Sequence, residues 1–453
     1  MHLTHEEVLG ILQGYLETSS LATDLTTHLE EVQSYDLAHL LLEQFDPPQI
    51  RTVLTALDPE FAAQIVEHWE SIDQYRLLHH LEPPIARAIL EQMSTDAVVD
   101  LFGAIHPRQE QQLIELLPDE YAATIRALRN YDENTAGGHM TIDYVSVRQS
   151  MTVGQVLAHI RKVGDEAETI AYIYVVDSAG RLVGVLSLRE LILAEPNVKV
   201  ESIMSTSPVS VPSTLDQEEV ARVVSQYDLV AIPVVSPQMK LVGIITVDDL
   251  VDVIHDEATE DIQKLGGSAP LTDSYFQTPV LTLVKKRIGW ILVLFLAEAY
   301  TGTVLRHFED VLAAVVSLSF FIPLLIGTGG NTGSQIVATL VRGLGVGEIS
   351  FKDMGRVLLR EISTGLVIGL IMGVATLIRA YTLGVGAQLG PVVALTSTFI
   401  VIWASIVSAV LPLVLHRLKV DPAVVSGPFI TTLVDGTGLF LYFTIARWML
   451  GLH

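Results

Sequence analysis

Five apolar stretches follow residue 285, near 288–305, 311–339, 357–381, 386–415 and 422–450. Each is long enough to cross roughly 30 Å of hydrocarbon at about 1.5 Å of rise per residue, and in lipid such a segment satisfies its own backbone polar groups as a helix. An odd number of spans puts the two termini on opposite sides of the membrane. Basic residues in short connections mark the cytosolic side. With the N-terminus inside, that side carries Lys285, Lys286, Arg287, Arg342, Lys352, Arg356, Arg360, Arg417 and Lys419, while the outer side carries Arg306, Arg379 and Arg447. The bias predicts an N-inside, C-outside topology.

The chain before these spans has a different character. Residues 1–280 hold 44 of the 52 acidic residues and 15 of the 27 Lys and Arg, a net charge of −29, whereas residues 281–453 carry a net +4. An acidic body attached to an apolar, slightly basic one predicts a cytosolic part joined to a membrane part. Nucleic acid is disfavoured as a partner, because a phosphate backbone would be repelled by the acidic half. No cysteine occurs, which removes disulfides and thiolate metal sites and leaves oxygen ligands. The opening MHLTHEEVLGILQGYLETSS lacks the basic start and unbroken apolar core of a signal peptide, so the acidic half is expected to stay in the cytosol.

Acids are scarce within the spans, and a carboxylate there is costly unless it lines water or has a partner. Asp435 lies mid-span in GPFITTLVDGTGLFLYF, among small and hydroxyl residues that let a helix or an ion come close. A pore role fits this setting better than an internal hydrogen bond to a Thr of another helix. The second stretch, IPLLIGTGGNTGSQIVATL, concentrates Thr328, Asn331, Thr332, Ser334 and Gln335 with four glycines between 327 and 335. A run so poor in helix formers reads as pore lining, with close helix packing as the alternative. Glu361 follows Arg360 near the inner interface and reads as a snorkelling or paired residue. Glu298 receives no assignment from sequence.

The acidic half contains an internal repeat. YVVDSAGRLVGVLSLREL (174–191) recurs as PVVSPQMKLVGIITVDDL (233–250), with Gly184 matching Gly243. Upstream, VSVRQSMTVGQVLAHI (145–160) matches VSVPSTLDQEEVARVV (209–224) at a larger offset, so the first copy carries five extra residues near 161–170. Each copy reads as strand, helix, two strands and helix. The duplicated LVGxxS/T ending resembles a CBS pair, a regulatory module. The Ser187 to Glu190 and Thr246 to Asp249 ends suit a nucleotide ribose, with Arg189 and Glu190 as the candidate nucleotide contacts. Before the repeat, residues 40–130 show helix starts at Pro47, Pro59, Ser71, Pro83, Thr95, Pro107 and Pro118, a period near twelve that stacks short helices into a superhelix. NYDENTAGGHM (130–140) reads as the linker.

After the repeat comes TVDDLVDVIHDEATEDIQKLGG, an acidic helix running toward the membrane. Asp249, Asp252 and Asp256 fall three and four apart, and Glu257 faces Glu260 and Asp261 in the same way, with no Lys or Arg between Lys240 and Lys264. Like-charged neighbours at this spacing repel. Hard divalent cations bridging them to a second acidic surface would relieve the repulsion. Candidate facing acids are Asp228 and Glu218 in the second CBS copy and Asp96 and Asp100 in the superhelix, the latter pair standing equally well as ordinary surface acids. The fourteen histidines, His79 and His80 included, show no ligand spacing and read as surface.

Superhelix, CBS pair, acidic helix and five spans in this order resemble the MgtE family of magnesium transporters over essentially the whole chain. IPLLIGTGGNTGSQ, DPAVVSGPF, TTLVDGTG and DDLVDVIHDEATEDI carry the resemblance. It implies a multidomain architecture: an α-helical superhelix (1–130), two α/β CBS domains (141–203 and 204–252), a connecting plug helix (253–280) and an all-α transmembrane domain of five helices (281–453). It also implies a homodimer in a prokaryotic inner membrane, with a pore on the two-fold axis lined by the second and fifth spans. Asp435 matches the ion-selecting aspartate and Asp421 the acid at the cytosolic start of that span, with Asn331, Thr332, Gln335 and Thr431 beside them. Asp249, Asp252, Glu257, Glu260, Asp261, Asp228 and Glu218 match cytosolic Mg2+-sensing positions; Asp96 and Asp100 carry over least securely. Mg2+ is then both cargo and regulator, ATP a candidate regulatory ligand, and Mn2+, Co2+ and Ca2+ stay open as further permeant ions. Two rivals remain: a nucleotide-regulated carrier of another cation or solute, and a CBS-regulated membrane enzyme, the latter disfavoured because the spans hold no His, Cys or paired-carboxylate constellation for chemistry.

Overall fold

Helix breaks set the architecture of the N-terminal region. In the computed structural model, which describes residues 4–18, 25–29, 31–165, 167–271, 275, 276 and 278–452, ten helices precede the first strand. They are α1 (His5–Thr18), α2 (Leu25–Leu29), α3 (Ser34–Gln44), α4 (Pro47–Ala56), α5 (Pro59–Glu67), α6 (Ser71–Leu78), α7 (Pro83–Gln92), α8 (Thr95–Ala104), α9 (Pro107–Ile114) and α10 (Asp119–Leu128). Six starts coincide with the residues read from the sequence; α10 begins one residue later, with Pro118 as its N-cap. Proline suits these places because the first helical turn has no use for its missing N–H. Asp58 and His106 cap the following turns, accepting from Glu60 N at 3.2 Å and Arg108 N at 3.2 Å. Helices pack on their next-but-one neighbours, α3 on α5 on α7 and α4 on α6 on α8 on α10. Each turns one apolar face, such as Leu54, Ile65, Leu78, Ile89 and Phe102, into a continuous core.

The repeat folds as read. Strands β1 (Tyr144–Arg148), β2 (Thr169–Val176) and β3 (Leu182–Ser187) with helices α11 (Val153–Val163) and α12 (Leu188–Leu193) form the first copy. The second holds β4 (Val211–Pro212), α13 (Gln217–Tyr227), β5 (Ala231–Val235), β6 (Leu241–Thr246) and α14 (Val247–Leu265). Both sheets have one parallel and one antiparallel pair, in the orders β1-β2-β3 and β4-β5-β6. The matched glycines have a steric reason. A Cβ on Gly184 would lie 2.6 Å from Met204 Sδ, and one on Gly243 would lie 2.8 Å from Met140 Cγ. The segment ahead of the first copy crosses the second sheet (Thr141 bridging Ile244), and the segment between copies crosses the first (Ser205 bridging Val185).

The acidic run differs from expectation in extent. Helix α14 begins directly after β6, so the last CBS helix and the connecting helix expected from 253 are one element. It stops at Gly266 and Gly267, the latter at φ 78°, rather than continuing toward 280. By its internal contacts the chain divides into Met1–Ile254 and His255–His453.

In the second unit the expected span over 311–339 is broken. Helix α15 (Val280–His307) is followed by α16 (Glu309–Ala314), a 3-10 turn over Val316–Phe321, and only then α17 (Ile322–Gly345). Pro323 is the cause: its ring would clash with the carbonyl four residues back, so it opens a helix and does not continue one. Helices α18 (Met354–Thr382), α19 (Gly386–Arg417) and α20 (Gly427–Leu450) complete the unit. Together with α15 these are, among the described residues, the four helices long and apolar enough to cross a membrane, α18 with its preceding turn; α17 matches α20 at 24 residues, but its glycines and polar side chains make it less apolar. Helices α18 and α19 lie antiparallel along Gly365, Gly369 and Gly373, where a Cβ on Gly369 would meet Thr398 O at 2.9 Å. Small residues four apart allow that approach.

Candidate functional site

In the first unit an acidic junction forms where α8, the entry to β1 and the start of α14 come together. Thr95, the first residue of α8, donates from Oγ1 to Asp143 Oδ2 at 2.6 Å, and Thr141 Oγ1 donates to the same oxygen at 3.2 Å. Glu168 N donates to Asp143 O at 2.7 Å, which fixes the start of β2 beside them. Asp96 and Asp100 follow Thr95 on α8, and Asp249 sits in the first turn of α14, accepting from Thr246 Oγ1 at 2.6 Å. Asp96 Oδ1 is buried and has no hydrogen-bond partner among the described residues.

Electrostatics ties the four acids into one group. Burial, then the charge of Asp249, pushes the Asp96 carboxyl well above the usual carboxylate range. Burial also raises Asp100 to about 6; His139 and Arg129 pull it down, while Asp249 and Glu133 push it up. Glu168 is raised to about 7 by burial, then by Asp249, Asp248, Glu67 and Asp143. Burial raises Asp249 as well, against its bond from Thr246. Asp100 and Glu168 still reach solvent, which screens their repulsion from the other acids. Arg129 is occupied by Glu110 and Glu133, each at 3.6 Å, and His139 Nε2 by Gln217 Oε1 at 2.6 Å. Among the described residues no three His, Asp or Glu converge closely enough to enclose a metal ion.

These raised carboxyls make the junction pH-sensitive. Their unfolded values lie near 4, so their contribution to holding α8 against α14 is fully present below about pH 4. It is lost as pH rises through about 6 to 7. Divalent-free protein is therefore expected to show faster amide exchange in α8 and the first turn of α14 at about pH 8 than at about pH 5, after correction for intrinsic exchange. Equal corrected rates would refute the coupling.

The other expected sensing acids lie elsewhere. Glu218 is in the first turn of α13 and Asp228 caps its far end at φ 52°, while Asp252 is exposed on α14. Glu257 is half-buried further along α14. In the second unit Lys264 Nζ donates to Asp421 Oδ2 at 2.6 Å and pairs with Glu260. Burial alone would lower the Lys264 ammonium, but its bonds to Asp421 and Glu260 outweigh this and hold it above the usual lysine value. Burial, then Asp421, raises Asp261. Asp421 Oδ1 accepts from Ala423 N at 2.8 Å, so this carboxylate caps the turn before α20 and also ties the end of α14 to it. In the first CBS copy Ser187 and Glu190 form a capping box, Ser187 Oγ donating to Glu190 Oε2 at 2.8 Å, and Arg189 is exposed.

Within the spans the polar run of α17 divides its labour. A Cβ on Gly329 would lie 2.7 Å from Val434 Cγ1, and one on Gly330 would lie 2.8 Å from Thr431 Cγ2, so these glycines let α17 cross α20 closely. Asn331 and Gln335, one turn apart, stay exposed on a face the chain leaves uncovered. Thr332 and Thr431 donate to Thr328 O at 2.8 Å and Gly427 O at 3.0 Å within their own helices. Asp435 on α20 is 8% exposed, and its Oδ1 has no hydrogen-bond partner among the described residues.

Sequence reading missed Glu168, His139 and Lys264. His139, taken as surface with the other histidines, is half-buried beside Asp100 and Asp249. Glu168 falls in the five-residue excess of the first repeat copy, a signal that was available.

Comparison with known proteins gives a consistent result. Residues 322–445 match a family model described as a divalent cation transporter (MgtE), 32–134 match the MgtE intracellular N domain, and 136–197 and 200–256 match CBS domains. A magnesium transporter MgtE of Thermus thermophilus is 42% identical over 425 residues, covering 93% of this chain and 94% of the relative. Its counterpart from Bacillus subtilis is 36% identical over 98% of both chains. Among solved structures, the cytosolic domain of the Mg2+ channel MgtE in complex with ATP superposes with a TM-score of 0.51 at 42% identity, over 54% of this chain and 99% of that one. The soluble part of a magnesium transporter gives 0.54 at 32% identity, over 56% of this chain and all of the other.

Proposed function

The chain belongs to the MgtE family of divalent cation transporters, and from that premise we propose that it forms a Mg2+ uptake channel whose acidic half closes the pore when cytosolic Mg2+ is high. The observation that carries the reading is Asp435, a carboxylate withdrawn into a membrane-length helix with an oxygen that no described group satisfies. A charge held there is costly unless an ion passes it. Two copies across a dimer axis would hold a cation that keeps its water shell, selecting by hydrated size and charge, and the open polar face of Asn331 and Gln335 on α17 would continue the path. Asp421 and Thr431 stand at its inner end.

In this reading residues 1–130 and the CBS domains at 141–203 and 204–252 sense Mg2+, 253–280 couples, and 281–453 conducts, with the N-terminus in the cytosol and the C-terminus outside. Mg2+ at Asp96, Asp100 and Asp249, and along Asp252, Glu257, Glu260 and Asp261 with Asp228 and Glu218, neutralises like charges. When it leaves, repulsion among subunits each carrying −29 over residues 1–280 separates the parts. ATP is a second regulatory ligand of the CBS pair, on the strength of the ATP-bound relative.

Purified full-length protein in liposomes is expected to admit Mg2+, with entry suppressed by millimolar Mg2+ on the side of the acidic half. Absence of flux would refute the channel. Flux indifferent to that Mg2+ but responsive to ATP would favour the nucleotide-regulated carrier.

A further inference from the structure

Helices α15 and α20 run side by side in a fixed register. Trp290 Nε1 donates to Ser426 Oγ at 3.0 Å, and ten residues further along α20 and eleven along α15 a Cβ on Gly436 would lie 3.1 Å from Thr301 Oγ1, with Tyr300 packed beside it. Contacts advancing together on both helices make them parallel, so Glu298 and Asp435 lie at the same depth to within a turn. Both are carboxylates, so they carry like charge at that depth.

Two side chains at this crossing hold an oxygen without a hydrogen-bond partner among the described residues. Asp435 is 8% and Thr301 6% exposed, and Asp435 Oδ1 and Thr301 Oγ1 have no hydrogen-bond partner among the described residues. Thr303, Thr328, Thr332 and Thr431 return their hydroxyls to carbonyls of their own helices; Thr301 does not. Among the described residues no Lys or Arg pairs with Glu298 or Asp435. Two carboxylates at one depth in hydrocarbon repel, and the cheapest neutralisation of both is one divalent cation between them.

We propose that the first span completes the cation site: Glu298 supplies a second carboxylate and Thr301 a hydroxyl, facing Asp435 around a divalent cation or its first water shell. The inference rests on the pore reading of Asp435 and adds α15 to the conduction path. It also accounts for an acid in the first span that is otherwise a pure cost.

Full-length Glu298→Gln, Glu298→Asp, Thr301→Val and Asp435→Asn proteins in liposomes test it by Mg2+ uptake against Mg2+ concentration. Losing one charge-assisted contact should move the half-saturating concentration of Glu298→Gln upward by about tenfold. Glu298→Asp should stay near wild type, and Thr301→Val should shift less than the Gln variant. If Asp435→Asn loses uptake while Glu298→Gln superposes on wild type, the inference falls and the pore reading stands. If Asp435→Asn transports normally, the pore reading itself falls. Should Glu298→Gln elute aggregated, the Thr301→Val curve decides: a rightward shift supports the site, and superposition overturns it.

Discussion

Asp435→Ala is expected to cut Mg2+ uptake by about a hundredfold or more while leaving the protein as stable as wild type, or more so. Both halves follow from the same facts. The carboxylate is 8% exposed and one oxygen has no partner among the described residues, so the folded state bears its desolvation and gains no bond in return. Removing such a group lifts a penalty, in contrast to removing one partner of a buried pair. The flanking Gly436 and Gly438 already let neighbouring helices close in, which limits any cavity the truncation leaves. Uptake assays with thermal unfolding of the same preparations check the pair of outcomes. Uptake within a few-fold of wild type would sink the pore assignment. Lost uptake with a large drop in stability would recast Asp435 as a packing residue.

What the sequence made legible, and what it hid, follows from the range of the interactions involved. The helix starts at Pro47, Pro59, Pro83 and Pro107 were readable because proline acts on its own backbone. The duplicated LVG ending was readable because repetition needs no contact map. By contrast, hydropathy sums over a window, so the stretch at 311–339 looked like one span even though Pro323 restarts the helix inside it. The glycines of α17 and the stripe at Gly365, Gly369 and Gly373 look alike as composition; only their neighbours, Val434 and Thr431 or Thr398, reveal close helix approach. Lys264 entered the sequence reading only as the end of the stretch without Lys or Arg. Its partner Asp421 lies 157 residues away, so no local pattern pointed to the tie.

Neutralising the junction should have the opposite character to the loss of Asp435. In Asp96→Asn, Asp100→Asn, Asp249→Asn protein, the side-chain shapes persist but the repulsion that Mg2+ is needed to quench is gone. Wild-type protein should gain amide protection in α8 and the first turn of α14 as Mg2+ rises, by about a hundredfold when the ion reaches roughly a hundred times its dissociation constant. The triple variant should be protected already without Mg2+ and change by less than about twofold on adding it. Asp96 sets the direction of this expectation. Its buried Oδ1 has no described partner, and its carboxyl is held well above the usual range, so the neutral amide is the cheaper occupant of that site. Transport by the variant should be low and indifferent to Mg2+ on the side of the acidic half, the phenotype of a sensor fixed in its bound state. Single variants should fall between the two extremes, because Glu168 still acts on Asp96 and Asp248 on Asp249 where those acids remain. A triple variant that gained Mg2+-dependent protection like wild type would move sensing away from this junction, to the acids between Glu257 and Asp261 that approach Lys264 and Asp421.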